Sequence, residues 1–184
     1  PHPGRRMSAS QIEIVADAGA LARRAADIVA EQVATCSDPF RLVLAGGSTP
    51  RDTYRLLARR NSLSWHCTEI FFGDERFVPP NSPDSNYRMA KEALLDHINP
   101  RKIFAMPTDG TPQSAAARYE EELVQQYGAS TLSPAAPLFD LLLLGLGEDG
   151  HTASLLPGQP VLQLRDRWVA AVPSGRDEPR LTLT

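Results

Sequence analysis

Cysteine is scarce: Cys36 and Cys67 are the only two in 184 residues, with no CxxC pair and no Cys/His cluster. That argues against a disulfide-stapled secreted scaffold and against a cysteine-built zinc site. The two are expected as free thiols in a reducing compartment. Positive charge is not in excess either. The net charge of −3 supplies no general field for nucleic acid or an anionic membrane, although a few local arginines suffice for a small anion. No apolar run approaches the roughly 18 residues of a membrane span, and no signal-peptide pattern opens the chain. A cytoplasmic protein with no nucleic-acid and no membrane partner is expected. There is no internal repeat and no low-complexity tail.

What remains is ordinary globular material. The hydrophobic share is 42% and the charged share 22%, enough for one domain with a substantial core. The opening PHPGRR, before Met7, fits neither helix nor strand, so residues 1–10 read as a tail. Strand and helix signals then alternate. Residues 16–35 carry Ala18, Leu21, Ala22, Ala25, Ile28, Val29 and Val33 at helical spacing. Strands are expected at 41–45, 69–72, 103–106, 139–144, 168–172 and 180–184. Helices are expected at 51–60, at 86–97 behind a cap at Asp84 or Ser85, and at 114–127 behind Thr111 or Ser114. Such alternation argues for a parallel sheet with helices on both faces.

Three segments follow strands and carry reactive side chains. Gly46-Gly47-Ser48-Thr49-Pro50 offers glycines, hydroxyls and a following helix N-terminus, a geometry that suits a phosphate. It has no P-loop lysine and no GxGxxG spacing, so a nucleotide is disfavoured. Gly73-Asp74-Glu75-Arg76 reads as a charged loop. Asp74 can position or exchange a proton there, and Arg76 can hold a phosphate or oxyanion; a solvated Glu/Arg ion pair is the plain alternative. The third, 145–152, follows the apolar run 139–144, read as a strand buried on both faces. It holds His151 beside Gly150, with Glu148 or Asp149 able to orient the ring. If the three preceding strands are parallel, all three segments emerge at one edge of the sheet.

Taken together, LAGGSTP (44–50), FFGDERFVPP with DSNY (71–80 and 84–87) and LLGLGEDGHTASLLPG (143–158) resemble the 6-phosphogluconolactonase family. The resemblance runs from about Leu44 to Thr184. It implies a Rossmann-like α/β/α sandwich with a mostly parallel sheet, shared with glucosamine-6-phosphate deaminases and ribose-5-phosphate isomerases. It implies hydrolysis of 6-phospho-D-glucono-1,5-lactone to 6-phosphogluconate in the pentose phosphate pathway. Residues 11–184 then form a single sugar-phosphate-binding domain, expected to lack its C-terminal end because the family continues past this point. The expected assembly is a monomer or weak homo-oligomer.

The same resemblance assigns roles. His151 takes a proton from the attacking water, Arg76 supplies positive charge, and Asp74 orients a sugar hydroxyl or the water. Gly46, Gly47, Ser48 and Thr49 hold the 6-phosphate or the adjacent sugar end. Arg176 and Arg180 complete that clamp, Arg176 standing where the family usually has a lysine. No cofactor and no metal is called for, since the lactone is already electrophilic and no convincing ligand set is present. The competing readings are a glucosamine-6-phosphate deaminase or isomerase and a non-catalytic sugar-phosphate sensor. Deaminase relatives carry a glutamate, as in DGHIAFNEP, where this chain has Leu156. A leucine cannot polarise a histidine.

Overall fold

A computed structural model describes residues 11–36 and 39–184. The tail expected at 1–10 lies outside the described residues. Among the described residues, four α-helices and seven strands follow in the order α1 (Ala18–Ala34), β1 (Phe40–Leu44), α2 (Ser48–Ala58), β2 (Thr68–Phe72), β3 (Asp74–Arg76), α3 (Asn86–Ala93), β4 (Lys102–Ile103), α4 (Pro112–Tyr127), β5 (Leu141–Leu142), β6 (Val169–Val172) and β7 (Arg180–Leu183). The main sheet has the order β4-β2-β1-β5, and every pair in it is parallel. Right-handed crossovers place α2 and α3 on one face and α4 on the other. Accordingly α1 packs on α2 and α2 on α3, whereas α4 packs against β6 and β7.

The helices form where caps and apolar stripes agree. Asp17 caps α1 by accepting from the Ala20 N–H at 2.7 Å. Its inward stripe is Ala22, Ala26, Val29, Ala30 and Val33, narrower than the one expected; Leu21 and Ile28 face outward. Ser85 caps α3, and Thr111 with Ser114 forms a capping box on α4. The core lies between α1, α2, α4 and the sheet. There Phe71 stacks on Phe104 with centroids 4.4 Å apart and meets Phe139 edge-on.

Several expectations are corrected. Cys36, after α1, and Cys67, before β2, are joined as a disulfide with Cα atoms 6.8 Å apart, not left as free thiols. Packing the end of α1 beside the start of β2 brings them together, and spacing along the chain does not reveal that. The Asp74-Glu75-Arg76 segment is a strand, not a loop. Gly73 switches partners between sheets: its N–H donates to Leu44 of β1 and its carbonyl accepts from Leu183 of β7. From there the chain enters a second, antiparallel sheet of order β3-β7-β6. Finally, β5 is an edge strand, not one buried on both faces. Leu142, Leu144 and Leu146 are exposed, since among the described residues β5 pairs with β1 alone.

Two buried tyrosines fix the strand ends that carry the site. The Tyr54 hydroxyl donates to the Ala45 carbonyl and accepts from its N–H, both at 2.8 Å. The Tyr119 hydroxyl accepts from the Phe72 N–H at 3.1 Å. Burial raises both phenols well above the ordinary tyrosine value. Tyr54→Phe strands the Ala45 backbone groups in the core. It is expected to cost about 1–3 kcal/mol in urea unfolding, and to loosen the loop that follows β1.

Candidate active site

The three segments singled out in the sequence do meet. They leave the carboxyl ends of β2, β1 and β5, which are neighbours in the sheet. The crevice lies where α/β folds bind ligands: the connection from β1 runs to one side, while β5 lies on the other. A cavity of about 200 Å³ opens there, lined by Gly46, Gly47, Asp74, Arg76, His151 and Arg180 together with Asn86 and residues 143–147.

His151 is held from one side. Its Nδ1 meets Asp149 Oδ1, whose other carboxylate oxygen accepts from Arg176 Nη2 at 2.6 Å. These two partners hold the Asp149 carboxyl far below the ordinary carboxylate value. Nε2 has no partner among the described residues. The Gly147 backbone passes so close that a Cβ there would sit 2.3 Å from the ring, so only glycine allows this approach. Gly150, at φ 83°, makes the turn between them.

Asp74 is buried, yet its polar atoms are paired. Asn86 Nδ2 donates to Oδ1 at 3.2 Å and to the Asp74 carbonyl at 3.0 Å, and Ser154 Oγ donates to Oδ2 at 2.7 Å. Burial raises the carboxyl above its usual value, opposed by Ser154 and then by Arg76 and Arg180. The folded chain therefore binds this proton more readily than the unfolded chain. Stability falls as pH rises from about 3.9 through the raised value, and that loss persists at neutrality. Asp74→Asn removes the buried charge while its amide oxygen still accepts from Asn86 and its NH2 donates to the Ser154 hydroxyl, reversing that bond. It is expected to melt higher than the parent at pH 7 and to lose that advantage below about pH 4, as followed by thermal melts across pH.

Glu75 points the other way along β3 and organises the turn before α3. Its carboxylate accepts from the N–H groups of Arg76, Asn86 and Tyr87 and from Ser85 Oγ, at 2.7–3.0 Å. Arg76 and Arg180 are direct cross-strand partners on β3 and β7. The Nε atoms of both are buried without a partner among the described residues, although Arg76 Nη1 donates to the Asp84 carbonyl at 2.6 Å. Like charges set opposite each other repel. Burial, then Arg76, lowers the Arg180 value. An anion between the two guanidiniums relieves that arrangement.

The remaining expected site residues lie apart from the cavity lining. Ser48 and Thr49 form the first turn of α2, which starts three residues earlier than expected. Gly47, at φ 110°, is its N-cap, with no side-chain cap bond, so the N–H groups of that turn are left for other acceptors. Arg176 faces Asp149. Among the described residues no group of three or more His, Cys, Asp or Glu is arranged to hold a metal ion.

The family model for glucosamine-6-phosphate isomerases/6-phosphogluconolactonase matches residues 16–184. The chain belongs to that family. It is 38% identical over 179 residues to a 6-phosphogluconolactonase of Nostoc, covering 94% of this chain and 73% of the relative. It is 44% identical over 146 residues to that of Synechocystis, covering 78% of this chain and 59% of the relative. The solved 6-phosphogluconolactonase of Trypanosoma brucei superposes with a TM-score of 0.77 at 33% identity, covering 94% of this chain and 75% of that one. Within the family frame, Asn86 and Ser154 are the residues that reasoning from sequence missed. Asn86 was visible in DSNY and Ser154 in DGHTAS, but neither position betrays that both side chains converge on Asp74.

Proposed function

We propose that this chain hydrolyses 6-phospho-D-glucono-1,5-lactone to 6-phosphogluconate by general-base activation of water. The observation that carries the reading is His151: its Nδ1 is fixed by Asp149, its Nε2 has no partner among the described residues, and it shares a cavity with two arginines. Water lying between Nε2 and the lactone carbonyl loses a proton to His151 as its oxygen attacks. Positive charge from Arg76 and Arg180 holds the phosphate or the developing oxyanion, with the Gly46–Thr49 turn as a further phosphate contact. Asp74 orients a sugar hydroxyl or the water. The tetrahedral intermediate collapses with cleavage of the ring C–O bond, and the protonated histidine returns its proton to the departing ring oxygen. The expected setting is the cytoplasm, with the protein a monomer or weak homo-oligomer.

Leu156 favours this reaction over deamination. It is buried in a small apolar cluster with Val161, Ala170 and Val172, so that position offers His151 no carboxylate. The test is a pair of assays on one preparation: acid release from freshly made lactone, corrected for spontaneous opening, and ammonia release from glucosamine 6-phosphate. Acid without ammonia supports the lactonase reading; ammonia release would replace it. Arg76→Ala is expected to raise KM and lower kcat together in the first assay, since its charge serves both binding and the transition state.

A further inference from the structure

The loop between β6 and β7, residues 173–179, is fastened to the segment after β5 at two points. Ser174 Oγ donates to Gln159 Oε1 at 3.1 Å, and Arg176 Nη2 donates to Asp149 Oδ2 at 2.6 Å. Arg176 is not among the residues that line the cavity. Its Nη1 is turned back onto the Gly175 carbonyl at 2.8 Å. Two of its donors are therefore engaged within the protein, and one of them ends on the carboxylate that holds the histidine.

We propose that Arg176 is a positioning residue that acts through Asp149: it fixes the carboxylate against His151 and sets the pH range over which that histidine works as a base. The inference rests on the assignment of His151 as the base. A carboxylate shared between a guanidinium and an imidazole stabilises the imidazolium less than one facing the imidazole alone. The other charged groups around the ring are Asp74 and Arg76 from β3 and Arg180 from β7. None of these touches Asp149, so Arg176 is the partner that controls its second oxygen. The pair also ties two separate loops, so the ring loses its outer support when the pair is broken.

The test is the pH dependence of kcat and KM on the lactone between about pH 5 and 8 for the parent chain, Arg176→Gln and Arg176→Lys, each first shown to melt cooperatively. Arg176→Gln is expected to move the acid limb of the kcat profile up by roughly 0.5–1 pH unit, with KM within about twofold of the parent. Arg176→Lys is expected to restore the parent profile, because the charge is kept. A several-fold rise in KM with an unmoved acid limb would make Arg176 a phosphate ligand and overturn the proposal. An unmoved profile with unchanged KM would reduce it to a surface arginine. His151→Ala, run alongside, separates the two levels: if that variant keeps its turnover, the base assignment itself fails, whatever Arg176 does.

Discussion

His151→Ala is expected to lower kcat on 6-phosphogluconolactone by about 10²–10⁴-fold while leaving affinity for 6-phosphogluconate within a few-fold of the parent. The split follows from where the side chain sits. Its Nδ1 is committed to Asp149, so only Nε2 is left for chemistry, and none of the phosphate contacts assigned above runs through the imidazole. The groups proposed to grip the product are elsewhere: the two facing arginines on β3 and β7 and the turn after β1. A general base contributes in the transition state and little to ground-state binding, so the loss belongs in kcat. Steady-state kinetics together with calorimetric titration of the product read both quantities. A variant that lost product affinity in proportion to turnover would place His151 among the binding groups.

The largest effect on folding is expected from Glu75→Ala. Glu75 is 2% exposed, and its carboxylate accepts four hydrogen bonds that close the turn between β3 and α3. Its truncation strands three backbone N–H groups and the Ser85 hydroxyl. Leaving buried donors unpaired costs about 1–3 kcal/mol each when no water replaces the acceptor, so a combined loss of at least ~3 kcal/mol is expected. Ser85 is also the cap of α3, through its bond to the Arg88 N–H, so the helix start is weakened with it. The damage reaches the site by a short path. Asn86, released from Glu75, no longer holds its side chain on Asp74. Activity under conditions where the variant remains folded is therefore expected to fall as well. Urea unfolding measures the first effect. A midpoint shift worth under about 1 kcal/mol would mean that the turn is held by something other than this carboxylate.

Much of this arrangement was legible in the sequence, and the reasons differ by element. The strand and helix alternation, the glycine turn and the histidine loop follow from local pattern, because hydrophobic period and turn chemistry are local properties. Their convergence followed from one inference, that the strands before them are parallel. The misreadings share a different cause. Asp74-Glu75-Arg76 carries three charges and so resembles a solvated loop. It is a strand because β7, about 100 residues further on, supplies its hydrogen-bond partners. Glu75 is buried because the N–H groups of the next turn fold back on it. The contact of Arg176 with Asp149 spans 27 residues and joins two loops, so it too is invisible to local pattern. The apolar run after Pro137 looked like a doubly covered strand; among the described residues it pairs on one side, with β1. The disulfide likewise depends on how α1 packs. What escaped the sequence is thus the pairing of distant segments.

The central claim is that His151, steadied by Asp149, draws a proton from water attacking a sugar-phosphate lactone. The most direct test is the initial rate of 6-phosphogluconate formation from freshly generated lactone, measured near neutral pH against the spontaneous rate in the same buffer. The account predicts a rate that exceeds this background, rises in proportion to protein concentration and saturates with substrate. A rate indistinguishable from spontaneous opening, in a preparation that unfolds cooperatively and binds 6-phosphogluconate, would contradict it and leave a protein that holds the product without making it.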